Sequence, residues 1–237
     1  MTSPKGTLYL IPGPLGDTPP EQVIPGYNIN IMQQLKIFVV EELRTARRFL
    51  RKCGFTGNFD ECTFFVLNEH TSLSEVPSFI NPAISGNNIG LLSEAGCPAV
   101  ADPGSVLVRT AHESGIKVIP LSGPSSIMMA LMASGLNGQQ FTFHGYLPVK
   151  EPERIKKIKE IERDLQRTGQ THIFIEAPYR NRQMIDSILS SCLDNTLLCI
   201  ACNVTMPDEE IKTDSIGYWK KRDYNPGKRP AVFLLSR

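Results

Sequence analysis

The first half of the chain alternates short apolar runs with longer segments of mixed polarity. The runs are rich in β-branched and aromatic residues and predict strands at Thr7–Ile11, Lys36–Val40, Thr63–Leu67, Ile89–Ser93 and Lys117–Leu121. The segments that predict helices, each followed within two residues by a glycine, are Glu42–Lys52, Pro103–Ser114 and Ser125–Ser134. Because the strands lack polar alternation, we expect a largely parallel sheet that helices cover on both faces.

The pattern changes at Tyr146–Pro152, where two prolines lead into the most charged segment of the chain. Within Glu151–Arg167, apolar residues recur at helical spacing, which predicts an amphipathic helix. The remaining predictions are a helix at Tyr179–Ser191 and strands at His172–Glu176, Thr196–Val204 and Ala231–Leu235. The predicted fold class is therefore α/β, with two α/β domains at residues 1–146 and 147–237.

Composition and charge narrow the function classes. The chain has 237 residues with 25 Lys+Arg against 24 Asp+Glu, so overall charge alone cannot drive nucleic-acid binding, although a local basic patch can. No apolar run approaches the length of a membrane span, and residues 1–7 lack the apolar core of a signal peptide, so we expect a cytoplasmic protein without membrane contact. The cysteines are expected to be free thiols, and the spacing of Cys199 and Cys202 favours core packing over a redox or zinc site; we expect no metal.

Four loops that follow predicted strands are rich in Gly, Pro and small polar residues. They are Pro12–Asp17, Ser93–Gly104, Ser122–Ser126 and Glu176–Pro178. Ligands of open α/β sheets bind beyond the carboxyl ends of strands, so these loops are the candidate binding site. The chain lacks the P-loop motif, the dinucleotide-binding glycine pattern, the G-x-S-x-G motif of hydrolases and the H-E-x-x-H zinc motif, which argues against those four enzyme classes.

Motifs in and around these loops resemble those of the tetrapyrrole methylase superfamily. Within it, they are similar to the branch of small-subunit ribosomal RNA cytidine 2′-O-methyltransferases. The matching segments are Glu41-Glu42-Leu43-Arg44, Asn68-Glu69, Ser93–Pro98 with Ala101–Gly104, Gly123–Ser126 and Glu176–Arg180. The resemblance runs from about residue 7 to the end of the chain, and residues 93–104 are its most specific part.

The resemblance implies a fold, a cofactor and a set of contacts. It implies two α/β domains with S-adenosylmethionine held in the cleft between them, usually in a homodimer. The implied cofactor-binding residues are Leu15, Ser93, Glu94, Ala95, Pro98, Ser125, Ser126, Glu176, Asn203, Pro230 and Ala231. The first-domain loops are also picked out by their composition and position, whereas the second-domain residues rest on the resemblance.

Methyl transfer from a sulfonium is an in-line displacement, which requires the acceptor to be held close to the methyl group. A ribose hydroxyl is a poor nucleophile, so a positioned general base would assist it. The catalytic candidates within the motifs are Glu94, Asp102 and Glu69, with Glu41 as a fourth carboxylate. Asp102 also has a structural interpretation, because its position before Pro103 suits a helix N-cap.

The predicted helix after the second strand concentrates basic residues. Arg44, Arg48 and Arg51 share one face at helical spacing, an arrangement that suits phosphates and equally suits a solvated surface. A second basic cluster comprises Lys220–Arg222 with Lys228 and Arg229. The predicted substrate-binding residues are Arg44, Arg48, Asn68 and Arg180.

The sequence thus predicts an S-adenosylmethionine-dependent methyltransferase that acts on a ribose of ribosomal small-subunit RNA. Two alternatives stay open: a methyltransferase of the same fold acting on a small molecule such as a tetrapyrrole precursor, and a non-catalytic cofactor- or RNA-binding protein. Asn203–Met206 favours these alternatives, because the RNA-modifying branch carries Arg and Lys there.

Overall fold

The structure, a computed structural model, describes residues 4–237. The expectation that residues 1–7 form no signal peptide falls partly on the first three residues, which lie outside the described residues. The chain divides between Ser125 and Ser126 into two compact units. Among the described helices, none is long and apolar enough to cross a membrane.

The first unit is built on a five-stranded parallel sheet of order β3-β2-β4-β1-β5. Its strands are β1 (Thr7–Ile11), β2 (Ile37–Val40), β3 (Thr63–Val66), β4 (Ile89–Leu92) and β5 (Lys117–Pro120). Its helices are α1 (Pro20–Val23), α2 (Gly26–Gln34), α3 (Leu43–Lys52), α4 (Asn81–Ile84) and α5 (Gly104–Glu113), with 3₁₀ turns at Phe59–Glu61 and Val76–Ile80.

Apolar side chains cover this sheet on both faces, as the unbroken apolar strands predicted. In β2, Val39 packs into one buried cluster, whereas Phe38 and Val40 pack into another. All five predicted strands and the helices α3 and α5 are confirmed with ends shifted by one residue at most. The segment that forms α1 and α2 was not predicted, because only Asn28 and Met32 are buried in α2 and its apolar pattern is weak.

The second unit contains a five-stranded mixed sheet of order β6-β7-β10-β8-β9. Its strands are β6 (Phe141–Tyr146), β7 (Thr171–Glu176), β8 (Leu197–Cys202), β9 (Glu210–Ser215) and β10 (Ala231–Ser236). Its helices are α6 (Ser126–Ser134), α7 (Glu151–Thr168), α8 (Asn181–Ser191) and α9 (Ile216–Trp219), with a 3₁₀ turn at Pro178–Arg180.

The second sheet is mixed, in contrast to the parallel sheet of the first unit. Only β6 and β7 pair in parallel, and β10 runs antiparallel to both of its neighbours. The connection from β8 to β9 spans residues 203–209 without a helix, too short for the crossover that parallel strands require. The two strands therefore pair antiparallel.

The division of the chain also differs from the predicted boundary between residues 146 and 147. Residues 126–146 supply α6 and β6, and α6 packs against β8, β9 and β10 of the second sheet. The proline-containing segment Tyr146–Pro152, where the sequence pattern changes, therefore connects β6 to α7 within the second unit.

The cysteines are free thiols, as expected. Cys202 packs in the main core of the second unit and Cys199, also fully buried, lies three residues earlier on β8. Burial raises the pKa of the Cys199 thiol to about 11, so at neutral pH it stays protonated and packs as a small apolar group.

Two histidines meet at the edge of the second sheet. His144 on β6 and His172 on β7 are joined by a hydrogen bond of 2.8 Å between Nε2 of His144 and Nδ1 of His172. Asp164, at the end of α7, lies 3.3 Å from the other nitrogen of His172. Burial lowers the pKa of both imidazoles, that of His144 to about 4. This pairing had no signal in the sequence, because the two residues are 28 positions apart.

We expect the histidine pair to make folding sensitive to acid. Below pH 6.5 the unfolded chain binds a proton at His144 that the folded protein takes up only near pH 4, so stability is full above pH 6.5 and falls through this window. His144→Gln should reduce that fall, as measured by urea unfolding at pH 7 and pH 5. The control is His112→Gln, at an exposed position on α5, which should retain the pH dependence of the unaltered protein. An equal loss of stability in His144→Gln and in the unaltered protein would contradict the assignment.

Candidate active site

A pocket opens in the first unit beyond the carboxyl ends of β1, β2 and β4. The loop after β1, the ends of β2 and β4 and one face of α3 form its walls. The lining residues are Pro14, Gly16, Thr18, Val40, Glu41, Glu42, Thr45, Ala46, Arg48, Phe49, Lys52, Leu92, Ser93 and Glu94. The position agrees with the general rule for ligand sites of parallel sheets.

Carboxylates and a threonine form a hydrogen-bonded network at the strand ends. Glu42 is the N-cap of α3 and accepts from the backbone N–H of Thr45 at 2.6 Å, and the backbone N–H groups at Arg44 and Thr45 lower the pKa of Glu42. The Thr45 hydroxyl lies 3.0 Å from Oε1 of Glu94 and donates to it. The backbone N–H of Glu94 donates in turn to Oε1 of Glu41 at 3.2 Å. Burial raises the pKa of the Glu41 carboxyl.

Two backbone hydrogen bonds join the loops after β1 and β4. Gly13 and Gly96 exchange N–H···O bonds of 3.0 and 3.1 Å. A Cβ on Gly13 would lie 2.7 Å from the carbonyl oxygen of Ser93, so only glycine permits this approach. The buried Ser93 hydroxyl donates to the carbonyls of Ala95 and Gly96, which fixes the turn beyond β4.

The joined loops gather most of the first-unit residues predicted to bind the cofactor. Leu15 packs close to Gly96, since a Cβ there would lie 3.3 Å from a methyl group of Leu15. Glu94 and Ala95 are exposed at the loop surface, and Pro98 is buried behind it. Ser125 and Ser126 follow β5 and lie at the point where the chain passes to the second unit.

Of the three predicted catalytic carboxylates, the pocket wall includes Glu94. Asp102 is half-buried and its Oδ1 accepts 2.8 Å bonds from the backbone N–H groups of Ala99 and Gly104, while burial raises its pKa. This is the cap-like role that its sequence position suggested, although Pro103 takes the formal N-cap position of α5. Glu69 is exposed beside His70 and does not line the pocket.

Asn68 has partners of its own in a turn after β3. Its Oδ1 accepts from the backbone N–H of His70 at 2.9 Å, and its backbone N–H donates to the Thr71 hydroxyl at 3.0 Å. Its amide also reaches the carbonyl of Glu41 at 3.5 Å. Asn68 therefore shapes the loop behind Glu41, and it does not line the pocket.

The arginines of α3 divide into two groups. Arg47 and Arg51 lie over aromatic rings, with the Arg51 guanidinium 4.1 Å from the centre of Phe59. Arg44 and Arg48 are exposed, and within residues 4–237 neither forms an ion pair. Within the predicted stripe of Arg44, Arg48 and Arg51, all three residues are exposed. Arg51 packs on phenylalanine rings, whereas Arg44 and Arg48 have no ion pair among the described residues.

The second unit brings its predicted cofactor residues to one sheet edge. Ala231 at the start of β10 pairs with Glu176 at the end of β7 and with Cys202 at the end of β8. The backbone N–H of Asn203 donates to the carbonyl of Pro230 at 3.0 Å. Antiparallel pairing of β10 thus places Glu176, Asn203, Pro230 and Ala231 side by side, although they are far apart in sequence.

Arg180, predicted to bind substrate, is tied to Glu176. Its Nε and Nη2 donate to Oε1 of Glu176 at 2.8 and 2.6 Å, and the carboxylate raises the pKa of Arg180. The Glu176 side chain is 0% exposed and that of Arg180 is 17% exposed. The guanidinium is therefore the counter-ion of a buried carboxylate.

Most of the second basic cluster is also engaged. Lys220 forms an ion pair with Asp194 at 2.6 Å, Arg229 pairs with Glu210 at 2.7 Å, and Arg222 lies over the ring of Tyr218. These contacts anchor the segment around α9 to its own unit.

Sequence comparisons identify the family. The profile of the tetrapyrrole (corrin/porphyrin) methylases matches residues 31–218. The chain belongs to the tetrapyrrole methylase family.

Several relatives in this family are named ribosomal RNA small subunit methyltransferase I. The protein of that name from Escherichia coli O157:H7 is 30% identical over 235 residues, which cover 98% of this chain and 78% of the relative. The one from Vibrio cholerae is 30% identical over 239 residues, covering 99% and 79%. The Streptococcus pyogenes serotype M6 protein is 31% identical over 212 residues, covering 89% and 69%.

Solved structures of methyltransferases share the fold. The methyltransferase CobJ superposes with a TM-score of 0.64 at 17% identity, covering 98% of this chain and 94% of that one. Uroporphyrin-III C-methyltransferase from Thermus thermophilus, complexed with S-adenosylhomocysteine, gives a TM-score of 0.59 at 14% identity, covering 98% of both chains. The expected α/β fold, methyltransferase activity and S-adenosylmethionine as methyl donor are confirmed at the level of the tetrapyrrole methylase family.

The loops of the first unit fit the methyl donor of a tetrapyrrole methylase. The donor carries a sulfonium cation, and the exposed Glu94 carboxylate lies at the end of β4 with Glu41 behind it. Ala99 and Ala101 hold positive φ angles of 67° and 59°, so the loop that follows is kept in a strained shape of the kind found around ligands. Lys52 belongs to the basic helix that the sequence indicated. Thr45 was not singled out, although its position three residues after the N-cap Glu42 was the available signal.

Arg180→Ala tests whether Arg180 is a structural counter-ion in this tetrapyrrole methylase. Removing it leaves the Glu176 carboxylate buried without a counter-ion, with the backbone N–H of Ala177 still donating to it. We expect a loss of about 3 kcal/mol of unfolding free energy, the lower end for a buried pair because Arg180 is partly exposed. Urea unfolding measures the change, and adding Glu176→Gln should recover part of it. The matched control is Arg182→Ala, whose ion pairs with Asp186 and Asp223 are exposed and should contribute far less. Equal stability of Arg180→Ala and the unaltered protein would return Arg180 to the set of free, substrate-binding candidates.

Proposed function

We propose that this tetrapyrrole methylase transfers a methyl group from S-adenosylmethionine to a ribose 2′-hydroxyl of ribosomal small-subunit RNA. The names of relatives that match nearly the whole chain support RNA as the substrate. The observation that carries the proposal in the molecule itself is that Arg44 and Arg48 on α3 are exposed and form no ion pair within residues 4–237, with Arg48 lining the pocket. Because the substrate is ribosomal RNA, we place the protein in the cytoplasm.

The cofactor contacts remain those that the family resemblance implied. In the first unit they are Leu15, Ser93, Glu94, Ala95, Pro98, Ser125 and Ser126, and in the second they are Glu176, Asn203, Pro230 and Ala231. When bound, S-adenosylmethionine supplies the electrophilic methyl group. The residues of the first unit then serve to hold it: the Gly13–Gly96 bonds fix the loop spacing, and the Ser93 hydroxyl fixes the turn that presents Glu94 and Ala95.

Glu94 is the best-placed general base for the ribose hydroxyl. Its carboxylate lies in the pocket wall, where the Thr45 hydroxyl orients one oxygen and the second oxygen is left to accept a proton. Asp102 uses one oxygen to bind two backbone N–H groups, and Glu69 stands outside the pocket. These contacts rank Asp102 and Glu69 below Glu94 as catalytic groups.

Arg44 and Arg48 are the proposed phosphate contacts. A free guanidinium binds a phosphate through two parallel hydrogen bonds, and these two side chains lie one helical turn apart on α3. Asn68 and Arg180, also predicted to touch substrate, act through the groups they hold, namely the loop behind Glu41 and the Glu176 carboxylate. As the resemblance implied, we propose that the protein works as a homodimer.

Replacing Arg44 and Arg48 together by alanine should weaken RNA binding while the fold is retained. Two lost phosphate contacts should reduce the slope of log affinity against log salt by about 1.4 for single-stranded RNA. Fluorescence anisotropy with a labelled small-subunit RNA fragment over a range of salt concentrations measures the slope.

The control is Arg109→Ala, which removes one exposed charge from α5, away from the pocket. It should leave both affinity and slope close to those of the unaltered protein. An unchanged slope in the double variant would contradict the assignment of Arg44 and Arg48 as phosphate contacts. Unchanged binding of S-adenosylhomocysteine by that variant would show that its cofactor site is intact.

A further inference from the structure

We propose that Tyr146 and Tyr179 of the second unit form a stacking surface, the tyrosine platform, for unpaired bases of the RNA. The inference rests on the proposed RNA function and adds to it a second surface with a different kind of contact. Proteins commonly bind single-stranded RNA through exposed aromatic rings on which the bases stack.

Both tyrosines lie at the carboxyl ends of neighbouring strands. Tyr146 is the last residue of β6, and Tyr179 follows β7 in the 3₁₀ turn Pro178–Arg180. Because β6 and β7 pair in parallel, these two ends share one edge of the sheet, the edge at which ligands of α/β proteins bind. The two residues are 58% and 68% exposed, so large apolar rings face solvent there.

A β-bulge gives Tyr146 its place. The register between β6 and β7 shifts between Phe143 and Tyr146, where β6 has one residue more than β7. Gly145 lies in this bulge with a φ angle of 65°, a left-handed conformation that favours glycine. Without the extra residue, Gly145 would pair with Ile175 in place of Tyr146. The bulge therefore re-aims an aromatic side chain, as bulges near functional sites do.

Buried side chains anchor the segment that follows Tyr146. Leu147 packs in the main core of the second unit. The buried Arg154 donates through Nη1 to the carbonyl of Val149 at 2.7 Å and through Nε to the Ser187 hydroxyl at 3.0 Å. The exposed side chains of Tyr146 and Val149 thus project from a backbone that is held in place.

Arg180 holds the second ring. Its Nη1 donates to the Tyr179 hydroxyl at 2.9 Å, and its guanidinium carbon lies 5.1 Å from the centre of that ring. The hydrogen bond to Glu176 is the largest cause of the raised pKa of Arg180, and the phenol groups of both tyrosines add to the rise, so both lie near one guanidinium. Rings ordered in this way lose little conformational freedom when a base stacks on them.

The size and chemistry of the tyrosine platform favour bases over a second copy of the chain. Two tyrosines can bury at most about 500 Å², which is less than the roughly 800 Å² per partner of a stable protein interface. A base needs a single ring, because every base has a π-face that stacks on an aromatic side chain. Lys150 is exposed on the same segment, with Glu153 3.9 Å away, and its ammonium suits the phosphates of a stacked strand.

Binding of a short single-stranded RNA, compared with the same strand carrying abasic riboses, tests the platform. Tyr146→Ala and Tyr179→Ala should each weaken binding of the intact strand by about fivefold or more, because each removes a stacking contact. Binding of the abasic strand should not change. The slope of log affinity against log salt should also stay the same, because stacking releases no counterions. Fluorescence anisotropy of the labelled strands measures these affinities.

Two variants serve as controls. Tyr146→Phe keeps the ring and should retain the affinity of the unaltered protein for the intact strand. Tyr27→Ala removes a tyrosine of the first unit that is 63% exposed, and it should bind both strands as the unaltered protein does. Unchanged binding of S-adenosylhomocysteine by the alanine variants at Tyr146 and Tyr179 would show that their fold is intact.

Three results would overturn the inference. One is an unchanged affinity of both alanine variants for the intact strand, and another is an equal weakening of the intact and abasic strands. The third is a dimer that sedimentation shows to dissociate in the double alanine variant while RNA affinity is retained, which would assign the patch to a second copy of the chain. An unaltered protein that binds S-adenosylhomocysteine but neither this strand nor small-subunit RNA refutes the proposed function as well.

Discussion

The candidate site depends on the pair of backbone hydrogen bonds between Gly13 and Gly96. These bonds join the loops after β1 and β4, which neighbouring strands of one parallel sheet bring to the same edge. The approach is so close that a side chain on Gly13 would collide with the backbone of Ser93. The exposed position of Glu94, the packing of Leu15 and the shape of the pocket beside α3 all follow from this contact.

The second unit also gathers residues from separate motifs at one sheet edge, but it does so through antiparallel strand pairing. Its central strand β10 runs antiparallel between β7 and β8, so the start of one strand meets the ends of two others. That arrangement gathers Glu176, Asn203 and Ala231 at one edge and buries the Glu176 carboxylate, which then requires Arg180 as its counter-ion. In each unit, residues from separate motifs meet because strand pairing brings their loops together.

The sequence predicted best where a local pattern decides the structure. The strands of the first unit are buried on both faces, so their apolar runs were visible without knowledge of the fold. β9 was missed because it is an edge strand of half-buried, mainly polar residues, and β6 was missed because histidine and glycine interrupt its apolar pattern. Because these two edge strands were not predicted, the mixed arrangement of the second sheet was not predicted either.

In the candidate site too, local sequence motifs predicted some features and tertiary contacts determined the others. Motif positions indicated the loops of the first unit, yet the roles of the arginines depended on tertiary contacts. Arg51 and Arg48 look equivalent in the sequence, but only the folded chain places Phe59 beneath Arg51 and leaves Arg48 at the pocket.

The most direct measurement of the central claim is nucleoside mass spectrometry of small-subunit RNA, isolated from cells without this methyltransferase and incubated with the protein and deuteromethyl-labelled S-adenosylmethionine. We predict one labelled nucleoside with the methyl group on the ribose 2′-oxygen; label on a base, or no label in the RNA while the protein binds the cofactor, would contradict the account.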